Sequence, residues 1–216
     1  MALFDELMDF QEETKEREAL VPGFLLGTVR ENWDSKHPGM VRVELTLSES
    51  GKNVSDWIPV ATPYGGKDFG QYFLPEIGDQ VMVAFNGGHP DCPVVIGSLW
   101  NKQNTPPRDT PNEKNTTKMI RTKGGHTIVF SEEKDKETLT IQTPGSLTIC
   151  LDDENQQAII QDKDGTNGIT IDAKNGTILL KADKKIQCRV KGKDMLVLDG
   201  EGKKAVLEAD TINCEA

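Results

Sequence analysis

The fold of this chain is decided by short apolar segments such as Leu147-Thr-Ile-Cys150, Ala158-Ile-Ile160 and Ile169-Thr-Ile171. Such segments recur roughly every 8–11 residues from Gly124 to Ala216, which is the spacing of an all-β array. Gly, Asn, Asp and Lys, the residues of tight turns, lie between them. Each segment offers only two or three aliphatic side chains, which is little for a monomeric sandwich. The pattern therefore predicts a narrow β-prism that partner chains must close.

The composition argues against several classes of function. The chain has 216 residues, of which 28% are charged and 36% hydrophobic, and its formal net charge is −10. An acidic surface opposes binding to nucleic-acid phosphates and to anionic lipid. No apolar run approaches the ~20 residues that span a bilayer, and no secretory signal is visible, so synthesis in the cytoplasm is expected. The four cysteines lack the CxxC spacing of a metal or redox site and are expected to be free.

The first twenty residues differ from the rest of the chain. They are predicted to form a short amphipathic helix, because their apolar side chains recur at helical spacing. Two interpretations remain open, a helix that packs on its own domain and a docking arm for a partner protein. The residues predicted to dock are Leu3, Phe4, Leu7 and Met8.

Three further parts follow this segment. Residues 21–101 hold five short apolar segments separated by Gly and Pro turns, which is typical of a small closed barrel of the OB type. Residues 102–118 have the polar, proline-bearing composition of a linker. Residues 119–216 contain the repeated strands. The predicted order is therefore helix, barrel, linker and shaft.

The barrel segment carries an ordered series of motifs. The most specific is Pro75-Glu-Ile-Gly-Asp79, in which Pro and Gly favour a turn that the Asp can cap, before a strand of alternating apolar residues. The series resembles the OB domain of phage baseplate assembly protein V and of the VgrG-type spike proteins. The residues that carry the resemblance are Gly27, Val41, Val43, Trp57, Pro75, Gly78, Asp79, Val81, Val83, Phe85 and Gly97.

The resemblance implies a homotrimeric central spike of a contractile injection machine, such as a phage tail, a tailocin or a secretion apparatus. The repeated strands would form an intertwined trimeric β-helix that sheath contraction drives through the target envelope, with transient contact to the target membrane. A separate baseplate hub protein would be required, and a PAAR-type tip protein could cap the C-terminal end. The residues predicted to face the shared core are Ile128, Ile141, Ile149, Ile160, Ile171, Leu180, Ile186, Leu198, Leu207 and Ile212.

Nothing in the sequence nominates an enzyme or a cofactor. The three histidines, His37, His89 and His126, show no metal-binding spacing. The segment from Asp162 to Gly168 is superficially similar to a calcium loop but lacks its spacing, so a turn is expected. One alternative is retained, a trimeric carbohydrate-binding fibre or adhesin that uses the barrel for its ligand. Nucleic-acid binding is not expected, since the barrel has aromatic residues but no basic stripe.

Overall fold

The chain divides into two compact units, Met1–Thr105 and Pro106–Ala216. The computed structural model describes residues 21, 23–46, 53–108 and 110–211. The predictions that lie outside the described residues are those on the N-terminal helix with Leu3, Phe4, Leu7 and Met8, and that on Ile212. The described parts of both units consist of β-strands, turns and a single 3₁₀ turn, which confirms the predicted all-β class.

The first unit is a small barrel. Its elements are β1 (Phe24–Glu31), β2 (Met40–Leu45), β3 (Ile58–Pro59), β4 (Gly65–Gly66), β5 (Phe69–Gly70), β6 (Gln80–Phe85), a 3₁₀ turn (Asn86–Gly88) and β7 (Pro93–Leu99). Five of the strands form an antiparallel sheet in the order β3-β2-β1-β6-β7. A parallel bridge between Val60 and Val95 joins the two edges of that sheet. The barrel is closed around a common interior by this contact.

Alternation along the strands gives the barrel its core. Successive side chains of a strand point to opposite faces, so every second residue of a barrel strand points inward. The fully buried side chains are all valine, and Ile58 is buried beside them. The fully buried valines are Val29, Val41, Val43, Val81, Val83 and Val95. The small unit therefore has a complete hydrophobic core within one chain.

The second unit begins with a seven-stranded antiparallel meander. Its strands are β8 (Thr117–Arg121), β9 (Thr127–Ser131), β10 (Thr138–Gln142), β11 (Thr148–Asp152), β12 (Gln157–Gln161), β13 (Gly168–Asp172) and β14 (Thr177–Lys181). Each strand pairs with the next along the chain. A three-stranded sheet follows, with β15 (Lys185–Val190), β16 (Lys193–Asp199) and β17 (Lys204–Leu207). We call these two sheets the meander and the C-terminal sheet.

The first strand of the meander was not among the apolar segments that the sequence pattern singled out. It begins at Thr117, two residues before the predicted start of the shaft at 119, and extends to Arg121. Its sequence, Thr-Lys-Met-Ile-Arg, contains only two apolar residues and continues a polar stretch. Pairing with β9 over five residues extends it as a strand in spite of this composition.

Related turns set the register of the meander. In the turn before β9, the backbone N–H of His126 donates to Thr122 Oγ1 at 3.1 Å. In the turn before β11, the N–H of Leu147 donates to Thr143 Oγ1 at 3.2 Å. The turn before β13 replaces Thr with Asp162, whose Oδ1 accepts from the N–H of Asn167 at 3.2 Å. A side-chain acceptor at the start of each turn thus fixes three connections at the same edge of the sheet.

Candidate assembly surface

The meander places its aliphatic side chains in two rows on one face. Residues directly opposite each other on neighbouring strands share a face, so the pairing register defines each row. The first row is Ile120, Ile128, Ile141, Ile149, Ile160, Ile169 and Leu180. The second row, which starts with Lys118 on β8, continues with Phe130, Leu139, Leu151, Ala158, Ile171 and Ile178. We call these two rows the aliphatic face.

The aliphatic face is uncovered in the single chain. Ile141 is 41% exposed and Ile178 is 71% exposed, whereas Val81 in the barrel is fully buried. Among the described residues of the second unit, none reaches the burial of the barrel core. A contiguous apolar surface of this kind marks an interaction site, because isolated exposed apolar residues would not form unbroken rows.

The opposite face of the meander is mostly polar, and its side chains pair with each other. Gln157 Nε2 donates to Asp172 Oδ2 at 2.9 Å. Gln142 Nε2 donates to Thr148 Oγ1 at 3.1 Å. The centre of this face carries a mixed row that includes Thr140 and Thr170 beside apolar residues. The two faces of the sheet therefore differ in chemistry, and only the aliphatic face lacks polar side chains over six consecutive strands.

The C-terminal sheet has a comparable apolar face. Ile186 lies opposite Leu198, and Leu198 lies opposite Ala205. Cys188 pairs with Leu196 on the same face. Leu207 on β17 also lies opposite Leu196, so Leu196 has Cys188 on one neighbouring strand and Leu207 on the other. On the reverse face, Lys185 Nζ lies 3.3 Å from Asp199 Oδ2.

Asparagines fix the turns at the other edge of the meander. Asn155 Nδ2 donates to Asp152 Oδ2, and Asn175 Nδ2 donates to Asp172 Oδ2, both at 2.9 Å. These side-chain hydrogen bonds, together with backbone N–H donors, lower the pKa of both carboxyl groups below the usual 3.8. Asn167 lowers the pKa of Asp162 in the same way. Asp162 is therefore engaged within the connection between β12 and β13, as expected of a turn.

The structure places the described members of the predicted core set, which exclude Ile212, on apolar faces. Five of them occupy the first row of the aliphatic face, and Ile171 lies in the second row. Ile186, Leu198 and Leu207 lie on the apolar face of the C-terminal sheet. The prediction named one residue for each strand, whereas the register gives two. The residues of the aliphatic face that the prediction did not name are Ile120, Phe130, Leu139, Leu151, Ala158, Ile169 and Ile178. All but Ile120 lie two residues from a predicted one, so period-two alternation could have identified them.

The motif residues of the barrel have distinct structural positions. Val41, Val43, Val81 and Val83 are in the core, and Phe85 packs against it. Gly27 leaves room for a neighbouring strand, since a Cβ there would lie 2.3 Å from Val43 Cγ1 and 2.9 Å from the Glu44 carbonyl oxygen. Gly97 has open space beside it, so the structure offers no steric reason for a glycine there.

The Pro75–Asp79 turn and Trp57 each make defined contacts in the barrel. Gly78 has a φ of 95°. Asp79 Oδ2 accepts from the N–H of Glu76 at 2.9 Å, as the sequence predicts for a cap. Pro75 accepts a hydrogen bond from Asn32 Nδ2 at 3.1 Å. Trp57 stacks on His37 with ring centroids 5.6 Å apart.

Reactive side chains form no recognisable centre in the described part of the chain. No group of three or more His, Cys, Asp or Glu side chains comes together there as a metal site would require. His37 Nδ1 lies 2.6 Å from Asp34 Oδ2, and this hydrogen bond lowers the pKa of the Asp34 carboxyl. The described residues include no helix long and apolar enough to cross a membrane.

The chain matches a known domain family over its barrel and is similar to several known proteins. Residues 25–100 match the Type VI secretion system/phage-baseplate injector OB domain. The spike protein VgrG1c of Pseudomonas aeruginosa is 30% identical over 125 residues, which are 55% of this chain and 17% of that protein. The spike protein VgrG3 of Vibrio cholerae is 26% identical over 121 residues, which are 54% of the chain and 12% of that protein.

Another relative is named for a different activity. The actin cross-linking toxin VgrG1 of Vibrio cholerae is 31% identical over 97 residues, which are 43% of this chain and 9% of that protein. The chain thus matches less than a fifth of the length of each of these relatives. The segment that matches the injector OB domain, residues 25–100, contains the buried valines of the barrel and its Pro75–Asp79 turn. Over residues 25–100 the chain therefore carries the injector OB domain, and it is similar there to the VgrG and baseplate assembly protein V kind of protein.

Proposed function

We propose that the chain is the homotrimeric central spike of a contractile injection machine. The observation that carries the proposal is the uncovered aliphatic face of the meander. Burying a large aliphatic side chain contributes ~1.5–3 kcal/mol, so two uncovered rows over seven strands leave much stabilisation unrealised in one chain. Copies of the same chain supply matching faces, and the relatives named as spike proteins give the assembly its context.

The width of the strands favours three copies. A five-residue strand spans ~17 Å, and facing sheets pack ~10 Å apart. A triangular prism with walls ~17 Å wide places each wall ~5 Å from its axis, which is half of that spacing. Aliphatic side chains from three walls would therefore meet at the axis without leaving a void. In this proposal residues 119–216 form an intertwined β-helix, following the barrel at 21–101 and the linker at 102–118.

The proposed work of the molecule is mechanical and not enzymatic. A closed prism leaves few free strand edges, so a shaft of this kind resists being pulled apart or mispaired. Sheath contraction would drive it through the target envelope, with transient contact to the membrane. A separate hub protein would hold the spike through Leu3, Phe4, Leu7 and Met8, and a PAAR-type protein would cap its tip. The chain would be made in the cytoplasm and assembled into the baseplate of a tail-like particle.

Two neighbouring residues of β13 provide the test. Ile171 belongs to the aliphatic face, and Thr170 lies on the opposite face. Ile171→Asp would bury three carboxylates in the shared core and is expected to dissociate the assembly. Thr170→Asp is the matched control and is expected to remain trimeric. Native mass spectrometry and melting of both variants report the result. A trimeric Ile171→Asp variant with unchanged melting, or a monomeric parent chain, would contradict the proposal.

A further inference from the structure

The barrel exposes a second apolar surface that the proposed shaft does not use. It consists of large side chains at one end of the barrel, and we call it the aromatic end. Trp33 is 78% exposed, Tyr72 is 74% exposed and Trp100 is 71% exposed. The full set is Trp33, Tyr64, Phe69, Tyr72, Phe73, Ile77 and Trp100. At the opposite end, Phe24 begins β1 and is also exposed.

Strand direction brings three of these residues to one end. β6 runs antiparallel to β1 and to β7, so the end of β1, the start of β6 and the end of β7 lie at the same edge. The backbone N–H of Gly78 donates to the Val29 carbonyl oxygen at 2.9 Å. Asn101 Nδ2 donates to Gln80 Oε1 at 3.2 Å. Trp33 follows β1, Ile77 precedes β6 and Trp100 follows β7, so all three residues lie at this edge.

The loop between β3 and β6 supplies the other aromatic residues to the same end. Val60 runs parallel to Val95, so the chain leaves β3 in the direction of the end of β7. The chain returns to the barrel at Pro75, whose carbonyl oxygen accepts a hydrogen bond from Asn32 Nδ2 just after β1. The loop therefore leaves and re-enters the barrel at the aromatic end.

The loop has a defined conformation. Its short hairpin of β4 and β5 is held by Thr62 Oγ1, which donates to the Gln71 carbonyl oxygen at 2.9 Å. The rings of Tyr64 and Phe69 are in contact, with centroids 5.4 Å apart. Gly70 has a φ of 142°, and a Cβ there would lie 2.7 Å from the Tyr64 carbonyl oxygen. The loop lines an open cavity of about 910 Å³.

We infer that a second copy of this chain covers the aromatic end, so that the barrels of the assembly contact one another there. The inference rests on the proposed trimer and adds an interface to it. Exposed Trp, Tyr and Phe side chains are the residues that most often anchor protein–protein contacts. The path of the chain favours a second copy as the occupant, because the chain leaves the barrel at this end through Trp100.

The tether between the units makes that contact favourable. Residues 100–116 separate β7 from the first meander strand, and seventeen residues reach at most ~56–61 Å even when fully extended. Barrels held within that reach of a shared shaft meet at a far higher effective concentration than separate chains do. The tether starts on the barrel itself, because Asn104 Nδ2 donates to the Gly78 carbonyl oxygen at 3.4 Å. The aromatic end is therefore attached directly to the segment that leads into the shared structure.

Photo-crosslinking of the full chain tests this interface. Benzoylphenylalanine is introduced in place of Tyr72, and in a matched control in place of Phe24 at the opposite end. Native mass is measured first, to show that each variant assembles as the parent chain does. The expected result is a covalent adduct of two or three chains from position 72, and only the single chain from position 24. The same probe in the Ile171→Asp background is expected to give no adduct.

The outcomes separate this inference from the proposed function. A trimeric mass without an adduct from position 72 would overturn the interface, leave the spike intact and return the aromatic end to the carbohydrate-binding alternative. Equal adducts from positions 72 and 24 would also overturn it, because the contact would not be specific to the aromatic end. A single-chain mass for the parent protein would remove the proposed trimer, and the inference would fall with it.

Discussion

The barrel and the meander solve the problem of hydrophobic burial in opposite ways. The barrel closes its sheet through the Val60–Val95 bridge and buries six valines completely within one chain. The meander keeps its strands in chain order as a single open layer, and its aliphatic face is uncovered. Both use the same alternation of side chains along a strand. The comparison teaches that the alternation sets which side chains share a face, whereas closure of the sheet decides whether one chain can cover that face.

Dividing the chain between Thr105 and Pro106 should have the largest effect. The fragment that contains the barrel should melt at a temperature independent of concentration, because its core lies within one chain. The fragment that contains the meander should melt at a lower temperature when it is diluted, because its core would form only between copies. Circular dichroism melts over roughly a hundredfold range of concentration check this. A monomeric meander fragment with a concentration-independent melt would contradict the comparison.

Neighbouring isoleucines on β12 offer a sharper test. In the single chain Ile160 is 52% exposed, whereas Ile159, on the opposite face, is half-buried. If the aliphatic face is covered by other copies, Ile160→Ala should cost ~2–5 kcal/mol per chain, the range for large-to-small core substitutions. Ile159→Ala is the matched control and should cost less. Denaturant unfolding of both variants measures the difference, and the reverse order would indicate that the meander works as a single layer.

Gly27→Ala should damage the barrel and leave the assembly intact. The added Cβ would meet Val43 Cγ1 and the Glu44 carbonyl oxygen at distances that force the strands apart. Overpacking of this kind costs ~1–3 kcal/mol. Gly97→Ala is the control, since open space surrounds that position. Calorimetry should show a lower barrel transition for Gly27→Ala alone, with native mass unchanged. Equal transitions for both variants would refute the close approach of β1 and β2.

Acid should weaken the meander turns by the smallest amount. The Asn155 and Asn175 side chains hold the pKa of Asp152 and of Asp172 below 3.8. A carboxyl whose pKa is lower in the folded state adds stability above pH 3.8, and this contribution is lost as the pH falls through the folded pKa. The melting temperature of the parent chain should therefore approach that of an Asp152→Asn/Asp172→Asn variant below pH 3.8.

A control fixes the interpretation of the acid experiment. Glu133→Gln removes a carboxylate from another turn at the same edge of the meander. The difference in melting temperature between Glu133→Gln and the parent chain should change less with pH than the difference between the double variant and the parent chain. If the gap between parent and double variant stays constant from neutral pH down to acid, the asparagine contacts do not stabilise the turns through the ionised carboxylates.

Much of this architecture could be predicted from the sequence, and the omissions have physical causes. Apolar segments between turn residues indicated the β-array, and the Pro75–Asp79 motif indicated the barrel family. The strand β8 escaped prediction because pairing with β9, and not its own composition, extends it. Most of the second row of the aliphatic face lies two residues from the first row on the same strand, so alternation contained it, whereas the alignment of the rows across strands depends on register, which turn lengths set. The aromatic end depends on strand directions in the closed barrel, so residues as distant as Trp33 and Trp100 gave no local signal.

The decisive measurement is the native mass of the full chain over a dilution series. The barrel is complete in one chain, whereas the meander is proposed to be covered only by other copies. A mass of three times 23.8 kDa is expected to persist on dilution, with no single chain that has a folded meander. A folded species of 23.8 kDa at all concentrations, with a cooperative melt of the meander, would contradict that proposal.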